Sequence, residues 1–257
     1  GRWGARATDA GGSGPGSGDR VVWCLAGRGL VNDQAFADQV WKGLQGTLAQ
    51  DRAMVFDAQM GLYRGETSFL DWREQTYPDW TRENVRFIGD SYALSTNVLH
   101  YQALRLGQQM AAQLGDERSE QYKAWADALA LQIDARFWRE DMGQYMSYIG
   151  EAAHPVPYAK VDLLGLSLGI LADVLPAERA QRALAAYPMG PAGSPVVWPQ
   201  AAQQAIYHNR AIWPFVSAYS LRAARQPDDA PRIAAETRSL MQGAVLAGTN
   251  IENLELV

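Results

Sequence analysis

Cysteine, histidine and runs of like charge are scarce in this chain, and each scarcity removes a class of function. One cysteine, Cys24, excludes an internal disulfide and any multi-cysteine metal site. The three histidines, His100, His154 and His208, are scattered without metal-ligand spacing, so no metal centre is expected. There is no Lys/Arg run to serve as a phosphate-binding stripe, and a formal net charge of -5 argues against a nucleic-acid partner. No apolar run approaches the roughly 20 residues of a membrane span, and the N-terminus has no apolar segment of the kind a secretion signal carries. A G-x-S-x-G elbow and a Gly-rich phosphate loop after a strand are both missing, which argues against a serine hydrolase and a nucleotide enzyme.

What is present is ample apolar material. Of 257 residues, enough for one large domain or two small ones, 47% are hydrophobic and 20% charged, which suffices for a sizeable core. Residues 1–19 are Gly- and Ser-rich without hydrophobic period and are expected to be a disordered tail. Beyond them the pattern is helical. Ala35–Val55 carries Phe36, Val40, Leu44 and Leu48 on one face. Three helical hairpins are expected next: Ser95–Leu114 with Glu117–Trp138, Val161–Leu175 with Ala177–Tyr187, and Trp213–Arg225 with Arg232–Ala247. Gly115-Asp116 supplies a C-cap and an N-cap, Pro176 starts a helix, and Asp162 reads as a cap. Long loops rich in Gly, Pro and aromatics separate the hairpins, and only Tyr145–Ile149 resembles a strand. Helix, turn, helix, long loop, without an obvious sequence repeat, fits an all-α toroid whose loops gather at one end.

The stretch 65–80 concentrates the chemistry. Glu66, Asp71, Glu74 and Asp79, the cation Arg73, and Phe69, Trp72, Tyr77 and Trp80 fall within sixteen residues. Buried charges need partners and aromatics need burial, so this mixture packs poorly as core. It suits a carbohydrate site, where aromatic faces lie against sugar rings and carboxylates grip hydroxyls. It lies in a loop expected from about Gly61 to Gly89, longer than the roughly 15 residues beyond which loops are usually functional.

Three segments resemble the six-hairpin, (α/α)6-barrel glycoside hydrolases, the group of trehalases and processing α-glucosidases. The first is Glu66-Thr67-Ser68-Phe69-Leu70-Asp71-Trp72-Arg73. It resembles the trehalase Glu-Ser-Gly-Trp-Asp-Phe-Ser-Ser-Arg segment, with one more residue before the Asp and a shorter gap to the Arg. The second, Tyr207-His208-Asn209-Arg210-Ala211-Ile212-Trp213-Pro214, resembles Tyr-His-Asn-Gly-x-Trp-Pro, with Arg210 in place of Gly. The third, Ile251-Glu252-Asn253-Leu254-Glu255, resembles the Glu-Asn-Tyr segment of the catalytic base, with Leu254 in place of Tyr.

The resemblance implies an inverting hydrolase of α-glucosides or related oligosaccharides. Asp71 would be the general acid, Glu252 the general base, and no cofactor is implied. Two carboxyls about 6.5–9.5 Å apart, on either side of the scissile bond, are what inversion needs. Glu66, Trp72, Arg73, Glu74, Trp198, His208, Asn209 and Trp213 become candidate sugar-binding residues. Alternatives stay open: Asp71 as a helix cap or a partner of Arg73, Glu66 or Glu74 as the acid, and a toroid that binds sugar without cleaving it. Six hairpins of roughly 45–60 residues exceed this chain, so 20–257 is expected to form an incomplete (α/α)6 ring.

Overall fold

The structure, a computed structural model, describes residues 34–255 apart from 71–75, 82–83, 202–203 and 205–206. The expected tail 1–19, and Asp71, Trp72, Arg73 and Glu74, lie outside the described residues. Eight α-helices carry the described fold: α1 (Gln34–Met54), α2 (Val85–Gly89), α3 (Leu94–Leu114), α4 (Arg118–Phe137), α5 (Leu163–Leu171), α6 (Ala177–Ala186), α7 (Pro214–Ala224) and α8 (Ala230–Ala247). Helix α3 pairs with α4, α5 with α6 and α7 with α8, as the hairpin pattern requires. Helices α3, α5 and α7 also pack side by side as an inner arc, and α1 lies against α3. No described helix is long and apolar enough to cross a membrane.

Among the inner helices α5 is apolar nearly all round, the pattern of a helix covered on its flanks and its inner side. In α5 every residue from Leu163 to Ile170 is buried. Helix α4, by contrast, buries one stripe, Tyr122, Ala126, Leu129, Ile133 and Phe137, at the i, i+4 spacing of an outer helix. Gly107 lets α1 and α4 approach α3, since a Cβ there would lie 2.7 Å from Leu48 Cδ1. On α1, Leu44 and Leu48 are core, while Phe36 and Val40 are half-buried.

Strand structure is more frequent than expected. Instead of one strand at Tyr145–Ile149, the described residues form ten dipeptide strands in five antiparallel pairs. Two pairs are tight hairpins that follow outer helices: β1 (Phe56–Asp57) with β2 (Leu62–Tyr63), and β4 (Trp138–Arg139) with β5 (Gln144–Tyr145). The other three set the architecture. β3 (Tyr92–Ala93), β7 (Val161–Asp162) and β9 (Ala211–Ile212) lie at the entrances of α3, α5 and α7. Each pairs with a strand about one hairpin further on: β6 (Tyr148–Ile149), β8 (Val197–Trp198) and β10 (Leu254–Glu255). Stretches of two residues show no readable alternation. This is also why α5 starts at Leu163 and not at Val161.

The caps follow local chemistry. The Asp162 side chain accepts from Gly165 N, and Asp229 accepts from Arg232 N at 3.1 Å. Gly115, at φ 67°, ends α3 in the left-handed conformation that suits glycine. The N-cap of α4 is Glu117 rather than Asp116, whose carboxylate instead accepts from Arg118 N at 3.0 Å. The stretch 61–89 is not wholly loop either, for it holds β2, a 3₁₀ turn at Asp79–Thr81 and α2.

Two buried polar arrangements hold the hairpins. Arg232 and Glu236 of α8 are buried with Nη1 and Oε1 3.7 Å apart. Glu236 Oε1 accepts from Ser194 Oγ (2.6 Å) and Ser220 Oγ (3.0 Å), while Arg232 donates to Tyr187 O (2.7 Å). This network ties α7 and α8 to the segment entering β8. Arg232→Met should cost about 3–5 kcal/mol in urea unfolding, because Glu236 then stays buried without its cation. Adding Glu236→Leu should recover much of that loss.

His100 is buried and stacked on Tyr63, with ring centroids 4.0 Å apart. Burial lowers its pKa to about 4. The Asp51 carboxylate 3.5 Å from Nδ1 acts the other way, and the desolvation of a buried ring stacked on Tyr63 prevails. The stability this neutral ring contributes is complete above the unfolded pKa of about 6.5 and is lost as pH falls toward the folded value. The expected loss on acidification is about 3 kcal/mol. Denaturation midpoints of wild type and His100→Gln, compared across that window, should converge toward acid pH.

Candidate functional site

The entrances of α3, α5 and α7 lie at one end of the inner arc, and the loops that follow the outer helices return to them. The segment 65–70 arrives first. Gly65 bridges to Tyr92, Ser68 N donates to Ser95 Oγ (3.1 Å), and Thr96 Oγ1 donates to Glu66 O (2.6 Å). Half-buried Glu66 is thereby fixed above the first turn of α3. Thr67 N donates to Tyr77 OH at 3.0 Å, and Thr67 Oγ1 to Leu70 O at 2.9 Å, which closes the segment on itself.

From α3 this segment reaches the entrance of α7. The Phe69 ring lies 5.0 Å from His208, 4.8 Å from Trp213 and 4.7 Å from Phe215. Tyr207 packs edge-on to Trp213 at 4.7 Å. His208, Asn209 and Trp213 are all buried. The result is an aromatic nest in edge-to-face contacts, the geometry that ring quadrupoles favour. Trp213 Nε1 donates to Tyr207 O (3.2 Å), which fixes the tryptophan against the turn before it.

Above this nest sits Glu252. Its carboxylate is exposed, and Tyr207 OH donates to Oε1 at 3.2 Å. The pairing of β9 with β10, with Ile212 opposite Leu254 and Ala211 opposite Glu255, carries Glu252 there across the chain. Arg210, where the resembling motif has Gly, forms an ion pair with Glu255 at the end of the same two strands. Tyr207 itself has φ 101°, a costly conformation for a non-glycine residue that persists only where surrounding packing imposes it.

Asn209 is an organiser. Its Oδ1 accepts from Ala201 N (2.7 Å), and its Nδ2 donates to Ala201 O (2.8 Å) and Gln204 O (3.3 Å). It therefore ties Ala201 and Gln204 to the entrance of α7. The preceding Trp198, on β8, is 41% exposed, enough ring for a ligand to cover. Of the residues singled out from sequence, His208, Asn209, Trp213 and Glu252 gather around this nest, Glu66 lies on the segment that brings Phe69 to it, and Trp198 ends β8. Phe69 and Tyr207, which are not among the candidate sugar-binding residues, join the segments. The clue to Phe69 was its place among carboxylates, where an aromatic has no core to enter.

Electrostatics around the site are set by burial. Asp162, enclosed at the entrance of α5, has its pKa raised to about 6 by desolvation, against the opposing hydrogen bond from Gly165 N. Burial lowers the pKa of Lys160 one pair of residues earlier, while the Asp79 carboxylate opposes that shift. Among the described residues no cluster of His, Cys, Asp and Glu could hold a metal ion.

No family model and no curated protein sequence matches the chain. Solved structures do match it in fold. A GH63 mannosylglycerate hydrolase from Thermus thermophilus, in complex with glucose, gives a TM-score of 0.74 at 17% identity, over 99% of this chain and 73% of its own. Neutral trehalase Nth1 from Saccharomyces cerevisiae gives 0.64 at 11% identity, over 95% of this chain and 59% of its own. A GH78 rhamnosidase of Bacillus sp. GL1 gives 0.60 at 22% identity, over 89% of this chain but only 21% of the enzyme. The chain thus has the fold of part of a six-hairpin glycosidase, and at these identities the likeness is one of fold.

Asn209→Ala should leave the helices intact but free the loop it staples. Each buried backbone group left without a partner costs about 1–3 kcal/mol. Limited proteolysis should then cut within 199–207 in the variant, well before the wild type is cut.

Proposed function

We propose that this chain is the site-bearing part of a glycoside hydrolase that cleaves α-glucosides or related oligosaccharides with inversion. The observation that carries the reading is one contact chain. Phe69, two residues before Asp71, packs on Trp213, while Tyr207, packed on the same Trp213, holds Glu252. Residues 65–70, which precede Asp71 in sequence, and the segment that bears Glu252, about 180 residues further on, meet over one aromatic floor. The shared fold with a GH63 hydrolase solved with glucose supports a sugar as the ligand.

In this reading Asp71 is the general acid. Its carboxylic proton passes to the glycosidic oxygen as the C1–O bond breaks, which lets the leaving group depart as a neutral alcohol. Glu252 is the general base: its ionised carboxylate takes a proton from a water that attacks C1 on the opposite face. Tyr207 orients Glu252 through Oε1, leaving the other oxygen for the water. Glu66, Trp72, Arg73 and Glu74 contact the sugar in this reading. Trp198 supplies exposed aromatic surface, Trp213 underlies the site, and His208 and Asn209 hold the loop in place.

Asp71→Asn and Glu252→Gln should each lower kcat on an α-linked glucose disaccharide by about 10²–10⁴-fold, the range general acid–base groups contribute. KM should stay within a few-fold. Proton NMR of the fresh product should show the β-anomer released first. Retention of activity in both variants would remove them from these roles. Binding of sugar by the wild type without release of product would favour a binding module instead.

A further inference from the structure

Tyr77 belongs to the acid-aromatic stretch yet takes no part in the proton transfers above. Its ring is buried in a small cluster apart from the main core, together with Phe87, Ile88, Ala93 and Tyr148. The ring centroids of Tyr77 and Tyr148 lie 4.5 Å apart, and Tyr148 stacks on Tyr158 at 4.8 Å. Tyr148 belongs to β6 and lies opposite Ala93 of β3, at the entrance of α3. Tyr77 is thereby fixed against the strand pair from which α3 begins.

The Tyr77 hydroxyl carries this anchorage to the other foot of the acid-bearing loop, where it accepts from Thr67 N at 3.0 Å. Thr67 is buried too, so its amide needs that partner. The residues on either side of Thr67 are held by α3, Glu66 O by Thr96 Oγ1 and Ser68 N by Ser95 Oγ. Thr67 and Tyr77 are ten residues apart in sequence, and Asp71 falls between them. The bond therefore joins the two feet of the stretch that carries the proposed acid. A contact that closes a short loop restricts the conformations open to the residues inside it. A phenylalanine would fill the same space in the cluster; what the hydroxyl adds is this clasp. The addition matters for chemistry, because a general acid must stand within hydrogen-bond reach of the glycosidic oxygen. A misplacement of about 1 Å costs on the order of 10²-fold in rate.

We propose that Tyr77 is a positioning residue for the general acid: its hydroxyl, bonded to Thr67 N, sets the span of the loop on which Asp71 presents its proton. The assignment rests on the glycosidase reading with Asp71 as acid, and adds to it the group that holds the acid in place.

The test measures wild type, Tyr77→Phe, Tyr158→Phe and Asp71→Asn on two kinds of substrate. The leaving sugar of maltose or trehalose needs a proton, whereas the fluoride of α-glucosyl fluoride departs with little help from an acid. Asp71→Asn sets the signature of a missing acid, a large loss on the disaccharides and a small one on the fluoride. Tyr77→Phe should show that signature in milder form, with kcat on the disaccharides down at least tenfold and KM within threefold. Its activity on the fluoride should stay within twofold, which also shows it folded. Tyr158→Phe removes a hydroxyl from a ring packed on the same cluster and should match wild type on every substrate. Equal losses on disaccharides and fluoride, no loss at all, or a like effect of Tyr158→Phe overturns the proposal. If the wild type hydrolyses nothing, the glycosidase reading fails; if Asp71→Asn lacks the signature, Asp71 is not the acid. Amide hydrogen exchange still decides the clasp in either case. Exchange in peptides spanning 68–76 that Tyr77→Phe accelerates at least tenfold, and Tyr158→Phe does not, upholds it; unchanged exchange overturns it.

Discussion

Backbone hydrogen bonding at the entrances of the inner helices is the constraint from which the rest of the structure follows. The dipeptides before α3, α5 and α7 are buried, yet a helix cannot satisfy the amides of its own first turn or of the residues before it. Each dipeptide solves this by pairing with a strand further along the chain. The pairing repeats three times although the sequences share no pattern. It fixes where each long loop crosses the end of the arc. Register then does the placing, because a slip of one residue at β9–β10 would turn the β10 side chains to opposite faces and displace Glu252 from Tyr207.

Packing inside the hairpins supports that end of the arc from behind. The Arg232–Glu236 network grips Tyr187 O and Ser194, at the two ends of a segment that leads into β8 and Trp198. Gly193 within that segment has φ 134°, and a Cβ there would fall 2.4 Å from Ser239 Oγ of α8. Backbone conformation and close approach to a helix therefore ask for glycine at the same position. Buried charge pairs are weak contributors to stability but poor at tolerating misalignment. That property suits a joint that must hold one loop in one place.

The helices were legible because their signal is long. Twenty residues of α3 or α4 carry several turns of apolar period, and the observed ends fall within one residue or so of the expected ones. The dipeptide strands were not legible, since two residues hold no period and their stability comes wholly from a partner elsewhere. At the site, His208, Asn209, Trp213 and Glu252 could be picked from the resembling segments. Gln204 could not, for a lone Gln in a loop signals nothing until the fold sets it 3.5 Å from Asp79.

The departures from the resembling motifs make physical sense together. Arg210 stands where the motif has Gly, and Leu254 where it has Tyr. In the fold these positions are neighbours: Leu254 lies opposite Ile212, and Arg210 reaches Glu255. The Arg210–Glu255 pair is partly exposed, so on its own it contributes about 0–1 kcal/mol. Its value is positional, because it clasps the outer end of a strand pair only two residues long. Leu254 meanwhile sets its side chain within 3.0 Å of where a Cβ on Gly243 of α8 would lie, so it anchors β10 to the last hairpin by apolar contact. A salt bridge on one side and a leucine on the other hold the segment that bears Glu252. Among the described residues the hydroxyl of Tyr207 orients its carboxylate, and the strained Tyr207 backbone is fixed by the aromatic nest beneath it.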